Sequence, residues 1–209
     1  MKILMVAAGE KPRKDILNEY LNYCDVTIAI DKGTEIFLEN GISPDYAVGD
    51  FDSISEKFKV KLKDINNFVY PSEKDFTDSD IAVNLAFKLK ATEIVMLGMT
   101  GGRIDHLFGN IGLLNKCLKN GVSAYIVDGN NKVFLKDKSF NLQGKYGDIV
   151  SFYAFSGDVE NLKIENAKYP LDNYLLEPFE SLCNSNEFLD GDIEVSFDTG
   201  KLLVIYSKE

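Results

Sequence analysis

Up to about residue 120 the chain alternates short apolar runs with stretches of helical periodicity, the pattern of a parallel α/β layer. "KILMVAA" and "VTIAI" read as buried strands joined by a helix across Asp15 to Tyr23. A second helix follows Lys32, turning Ile36 and Phe37 inward until Gly41 ends it. Next come the strand "YAVGD", a charged helix near Glu56 to Ile65, the strand "NFVY", and a helix from Asp78 to Lys90. In that last helix Ile81, Leu85 and Leu89 recur at four-residue spacing. "EIVMLGM" then leads through a glycine loop into a helix carrying Leu107, Ile111, Leu114 and Leu118. From about residue 123 the texture changes. "SAYIV", "KVFLK", "DIVSFYAF", "DIEVSF" and "KLLVIYS" are short alternating or apolar runs between Gly, Asn and Asp turns, as in an antiparallel sandwich or barrel. The expected division is an α/β domain over residues 1–122 and an all-β domain over 123–209.

Composition narrows the chemistry. No run approaches the roughly 20 apolar residues of a membrane helix. In the opening "MKILMVAAGEKPRKD", charge returns at Glu10 and Lys11, so it reads as a first strand rather than a secretory leader. The three cysteines, Cys24, Cys117 and Cys183, are dispersed and form no CxxC pair, which suits reduced thiols in a cytoplasmic protein. A net charge of -10, with no basic stripe among aromatics, argues against nucleic acid and for a cationic or metal-complexed ligand. The single histidine, His106, and the lack of a GxSxG motif disfavour histidine metal sites and Ser/His/Asp triads. Carboxylates must carry any chemistry, and with water they are the ligands magnesium prefers.

In open α/β sheets ligands bind at the carboxyl ends of strands. Four stretches stand there: "IDKG" at 30–33, "GDFDS" at 49–53, "KDFTDSD" at 74–80 and "GMTGGRIDH" at 98–106. Asp31 beside Gly33 also fits a helix-start turn, and Thr77 with Asp80 resembles a capping box. Asp50 and Asp52, alternating on an extended segment, would share one face, where like charges repel unless a cation sits between them. "GMTGGR" is neither a Walker A loop nor a GxGxxG fingerprint. Even so, a turn through Gly101 and Gly102 into a helix presents backbone N–H groups that suit phosphate. Arg103 is one of only two arginines, the other being Arg13, and its planar fork grips phosphate oxygens. Together these stretches describe magnesium and a polyphosphate facing a ring of aspartates, the equipment of phosphoryl transfer.

In order and spacing these residues resemble the thiamine pyrophosphokinase family. The resemblance rests on Gly49 to Ser53, Lys74 to Ala82, Gly98 to His106, "KYPLDN" at 168–173 and "NSNEF" at 184–188, and it runs from Asp31 to the C-terminus. It implies a Rossmann-like N-terminal domain, a C-terminal β-sandwich, and transfer of the pyrophosphoryl group of ATP to thiamine, releasing AMP. On this likeness Asp31, Asp50, Asp52 and Asp78 surround the metal and the transferred phosphates, with magnesium on Asp50, Asp52 and Asp78. Thr77 and Arg103, with Gly101 and Gly102, contact phosphate, and Asp105 orders the site. Tyr169 offers an aromatic platform to the thiamine cation, while Ser185 and Asn186 read its aminopyrimidine edge. By its own pattern "KYPLDN" reads first as an ordinary strand followed by a turn. The family pairs two chains so that the β domain of one completes the site of the other. Lys32 and Thr34 depart from the family pattern, and no role is carried to them. Three rival readings are a diphosphokinase acting on another primary alcohol such as a hydroxymethylpterin, a non-catalytic thiamine or nucleotide sensor, and a metal-dependent phosphohydrolase. A neutral pterin needs no cation-favouring pocket, and a sensor needs no complete set of Asp50, Asp52, Asp78 and Arg103.

Overall fold

The structure, a computed structural model, describes residues 1–69 and 76–208, and residues 67–69 by backbone alone. Tyr70, Lys74 and Asp75, parts of the predicted strand "NFVY" and of the "KDFTDSD" stretch, lie outside the described residues. The chain divides into two units, Met1–Gly129 and Asn130–Glu209.

The first unit is built on parallel strands β1 (Lys2–Val6), β2 (Val26–Ile30), β3 (Tyr46–Gly49), β4 (Asn66–Val69), β5 (Glu93–Leu97) and β6 (Ser123–Val127). Its helices are α1 (Lys14–Tyr23), α2 (Gly33–Glu39), α3 (Glu56–Lys59), α4 (Asp78–Lys88) and α5 (Ile104–Lys119). Central strands flanked by crossover helices are apolar on both faces. Ile3 to Val6 and Ile94 to Leu97 are accordingly buried. The spatial order is β6-β5-β1-β2-β3-β4. The chain therefore lays down β1 to β4 in one direction and returns to place β5 on the other side of β1. Such a reversal opens a crevice at the carboxyl ends of the two strands that flank it.

Several expectations change here. The strand "SAYIV" pairs parallel with β5, Glu93 opposite Ser123 through Leu97 opposite Val127, so it closes the first sheet instead of starting the β domain. Its apolar run is short and carries no mark of direction; the preceding helix α5, a crossover, makes the pairing parallel. The expected helix over 56–65 breaks at Val60 into α3 and a 3-10 turn, Lys61–Asp64. Phe58, Leu62 and Ile65 anchor this segment in the core, and the Ile65 N–H reaches back only to the Leu62 carbonyl (3.2 Å). Helix α4 turns Ala82, Val83 and Ala86 fully inward, while Ile81, Leu85 and Leu89 are half-buried. Small side chains let its backbone lie close against β2 and β3.

The second unit contains β7 (Asn131–Lys136), β8 (Phe140–Leu142), β9 (Ile149–Ala154), β10 (Val159–Glu165), β11 (Leu171–Leu176), β12 (Asn186–Glu187), β13 (Ile193–Ser196) and β14 (Leu202–Ser207). They form two antiparallel sheets, β12-β9-β14-β7 and β11-β10-β13-β8. Alternate residues are buried, such as Val150, Phe152 and Ala154 on β9 and Leu162 and Ile164 on β10, as a sandwich requires. β8, β10, β11 and β12 are absent from the hydrophobic pattern because they are short or carry polar residues at most outward positions, as in "VENLKIE".

No helix among the described residues is long and apolar enough to cross a membrane. Cys24, Cys117 and Cys183 are free thiols, and burial pushes Cys117 up to about 12.

Candidate active site

Past the ends of β1 and β5 the two segments continue to hold one another. Gly9 N–H donates to the Gly98 carbonyl (2.8 Å) and Glu10 N–H to that of Thr100 (2.6 Å). The approach is so close that a Cβ on Gly98, whose φ is 69°, would stand 2.1 Å from the Ala7 carbonyl oxygen. Glycine alone tolerates both that contact and that backbone. The result is a cleft of about 810 Å³, lined by Ala7, Ala8 and Gly9 after β1, Ile30 and Asp31 at the end of β2, Gly98 to Arg103 after β5, and the starts of α4 and α5.

Beside this cleft lies a carboxylate cluster. Asp31, Asp50 and Asp52 each bring an oxygen within 4.8 Å of the others. Asp50 and Asp52 do not line the cleft; Asp31 belongs to both features. The loop is also not the extended segment expected for "GDFDS". Phe51 has a φ of 58° and is buried, and the Asp52 N–H folds back onto Asp50 Oδ1 (3.2 Å). Burying Phe51 in the core forces the turn that leaves both aspartates together. Asp31 is itself left-handed, with φ 46°, a second non-glycine residue in strained backbone at the same spot.

Asp31 Oδ2 accepts the Ser53 hydroxyl (3.0 Å), whereas its Oδ1 is buried without a hydrogen-bond partner. Burial pushes its carboxyl above the usual range against the Ser53 hydrogen bond, and the charges of Asp50 and Asp78 push the same way. A hard cation would reverse all of these penalties, and the donor set, oxygen only, is of the kind that magnesium takes. Of the four expected aspartates, Asp31, Asp50 and Asp52 have oxygens within 4.8 Å of one another. Asp78, in the first turn of α4, lines the cleft.

Around the cleft the other expected residues fall into two groups. Thr77 caps α4, its hydroxyl oxygen accepting the Asp80 N–H (3.2 Å), and it also lines the cleft. Gly101 and Gly102, with φ of 79° and 67°, turn the chain into α5, whose N-terminus no side chain caps at Arg103. Arg103 and Asp105 are exposed and form a fork: Nε donates to Oδ1 (3.1 Å) and the second bond runs from Nη2 to Oδ2. This partner holds the Asp105 carboxyl below its usual range. Asp105 Oδ1 also accepts the His106 N–H (3.0 Å), which ties the arginine to the start of the helix.

The sequence reading passed over Ala7 to Gly9, Thr100, His106 and Asn110 as lining residues. Only the small tract "AAG" after the first strand signals them, and it reads as readily as the strand's own end. Thr100 Oγ1 is buried and unpartnered, and the Asn110 amide donates to the Met99 carbonyl (2.8 Å).

In the second unit Tyr169, Ser185 and Asn186 do come together. Asn186 is 3% exposed, and its amide brackets the Tyr169 backbone: Oδ1 accepts the Tyr169 N–H (3.0 Å) and Nδ2 donates to its carbonyl (2.8 Å). The same Oδ1 accepts the Glu187 N–H (2.9 Å). Asn186, expected to read a ligand edge, is bonded through both amide atoms to backbone here and holds Tyr169. Tyr169 is 56% exposed. Ser185 is exposed as well, with φ 53° and its N–H donated to Ser151 Oγ (3.0 Å). Asn186→Ala should lower unfolding stability by about 1–3 kcal/mol, since three backbone groups lose their partner. A urea midpoint equal to that of the unmodified chain would show that water replaces the amide.

Comparison with known proteins agrees with this layout. Residues 17–126 match the family model "Thiamin pyrophosphokinase, catalytic domain", and residues 138–202 match "Thiamin pyrophosphokinase, vitamin B1 binding domain". The chain is 34% identical over 216 residues to the thiamine pyrophosphokinase of Bacillus subtilis (strain 168), covering 100% of both chains. It superposes on a crystal structure of thiamine pyrophosphokinase from Bacillus subtilis with a TM-score of 0.89 at 32% identity, covering 100% of each chain. Against the enzyme from Geobacillus thermodenitrificans the TM-score is 0.85 at 33% identity, covering 100% of this chain and 98% of the other.

Proposed function

The chain belongs to the thiamin pyrophosphokinase family, and on that premise we propose how its residues divide the work. The activity is ATP:thiamine diphosphotransfer. The thiamine hydroxyl oxygen forms a bond to the β-phosphorus of ATP and gives up its proton, the bond from that phosphorus to the α,β-bridging oxygen breaks, and thiamine diphosphate, AMP and a proton result.

The observation that carries the assignment of roles is the Asp31, Asp50 and Asp52 cluster beside the cleft, with Asp31 Oδ1 buried and unpaired. In our reading these carboxylates hold magnesium, which supplies a positive charge that screens the phosphates and stabilises the charge moving to the leaving group. Asp78 extends the acidic ring from α4. Thr77 and Arg103 bind phosphate oxygens, and Gly101 and Gly102 let backbone N–H groups approach them at the α5 N-terminus. Asp105 holds the Arg103 guanidinium in place by two hydrogen bonds before ATP arrives.

Tyr169 stacks on the thiamine ring, an attraction of about 0.5–2 kcal/mol for an aromatic cation, and Ser185 offers its hydroxyl to the aminopyrimidine. Asn186 supports both by fixing the Tyr169 backbone. The phosphate-binding residues lie in the first unit and the thiamine-binding residues in the second. We take the protein to be a cytoplasmic homodimer in which one chain completes the site of its partner, the pairing most common among soluble oligomers.

The test is product identity. ATP labelled in the β-position, incubated with thiamine and magnesium, should give labelled thiamine diphosphate and AMP in a single transfer. Stoichiometric ADP and thiamine monophosphate would overturn the assignment.

A further inference from the structure

The loop bearing Asp50 and Asp52 is tied down at two serines. Ser53 donates its hydroxyl to Asp31. Two residues on, Ser55 donates both its N–H and its hydroxyl to Glu35 Oε1, each at 2.7 Å. Asp31 and Glu35 are four residues apart across the start of α2, about one helical turn. The acceptors are thus spaced to receive two serines that flank a single residue. That residue, Ile54, is 3% exposed and plugs the core, while Phe51 does the same from a left-handed backbone.

Ser55 also stands at the N-cap of α3, where a serine oxygen ordinarily accepts an N–H of its own helix. It makes no such bond here. Its hydroxyl hydrogen is given to Glu35, so the side chain makes a tertiary tie while its oxygen accepts no N–H of α3. Glu35, for its part, is an acid close in sequence to Asp31 that stays out of the carboxylate cluster. Ser55 holds its carboxyl below the usual range.

We propose that Glu35 and Ser55 form a latch that fixes the carboxylate loop against Asp31, making Glu35 a positioning residue for the cation site. Without it, the strained turn at Phe51 has one fewer restraint, and the oxygens of Asp50 and Asp52 drift from that of Asp31. The inference rests on the reading that these three aspartates hold a divalent cation.

The experiment measures Mn2+ binding to the full chain by loss of the free-ion electron paramagnetic resonance signal, with and without α,β-methylene-ATP. Glu35→Gln and Ser55→Ala should each bind Mn2+ about tenfold or more weakly, the scale on which removing a supporting partner acts at a metal site. Ser55→Thr, which keeps the hydroxyl, should bind as the unmodified chain does. In turnover, half-saturating magnesium should rise by a similar factor while the thiamine KM stays constant, a split that general loosening of the fold does not produce. If Glu35→Gln fails to fold, Ser55→Ala decides, since it keeps the backbone N–H bond. Affinities within about twofold of the unmodified chain in the folded variants would overturn the latch. If the unmodified chain binds Mn2+ no better than Asp52→Asn does, the cation reading itself fails, and the latch with it.

Discussion

Replacing Asp52 by Asn is expected to lower kcat by about 10²–10³-fold, some 2.7–4 kcal/mol, the scale of losing one preorganised electrostatic contact in a transition state. The geometry makes this substitution informative. Asp52 is exposed, and Asn matches its shape, so the Asp52 N–H bond to Asp50 Oδ1 (3.2 Å) and the burial of Phe51 are preserved. What changes is one of three oxygens lying within 4.8 Å of one another. The urea midpoint should therefore stay unchanged or rise slightly as repulsion in the cluster falls. Asp50→Asn should act in the same direction. The measurement is turnover at saturating ATP, thiamine and magnesium, and near-normal kcat in both variants would return the pair to a solvated loop.

Mixing two impaired proteins should raise activity toward about a quarter of the unmodified level. One protein carries Asp52→Asn in the first unit, the other Tyr169→Ala in the second. If each site draws its phosphate residues from one chain and its thiamine residues from the other, a heterodimer places both lesions in one site and none in the other. Random re-pairing makes half the dimers mixed, and half of their sites are then intact. Differently tagged chains, dissociated reversibly and remixed, verify the exchange. No gain over the two separate activities, with exchange demonstrated, would show that each chain builds its own site.

The α/β order of the first unit, the carboxylate stretches and the late aromatic segment were legible in the chain itself. Strand periodicity and the four motif stretches depend on residues close in sequence, and such signals survive without the fold. Less legible were features in which a residue's role depends on what approaches from far away. "SAYIV" reads as one more β-domain strand until α5 delivers it parallel to β5. Leu85 outranks Ala86 in hydropathy, yet Ala86 is buried because its small size lets α4 approach the sheet.

The chemistry divides in the same way. The expectation that Asp50 and Asp52 face a cation comes from two like charges crowded beside a strand end. What the tertiary structure adds is that the oxygens of Asp31, Asp50 and Asp52 lie within 4.8 Å of one another, with Phe51 buried in the turn between the last two. Asn186 stood out in the sequence as a polar residue beside a serine, with no indication that its amide is spent on a backbone 17 residues away. Glu35 showed nothing at all, since its partner Ser55 is 20 residues distant and would, from local preference, have capped its own helix. Amino-acid type sets what a side chain is able to bind; which partner it receives is settled only when chain segments far apart in sequence pack together.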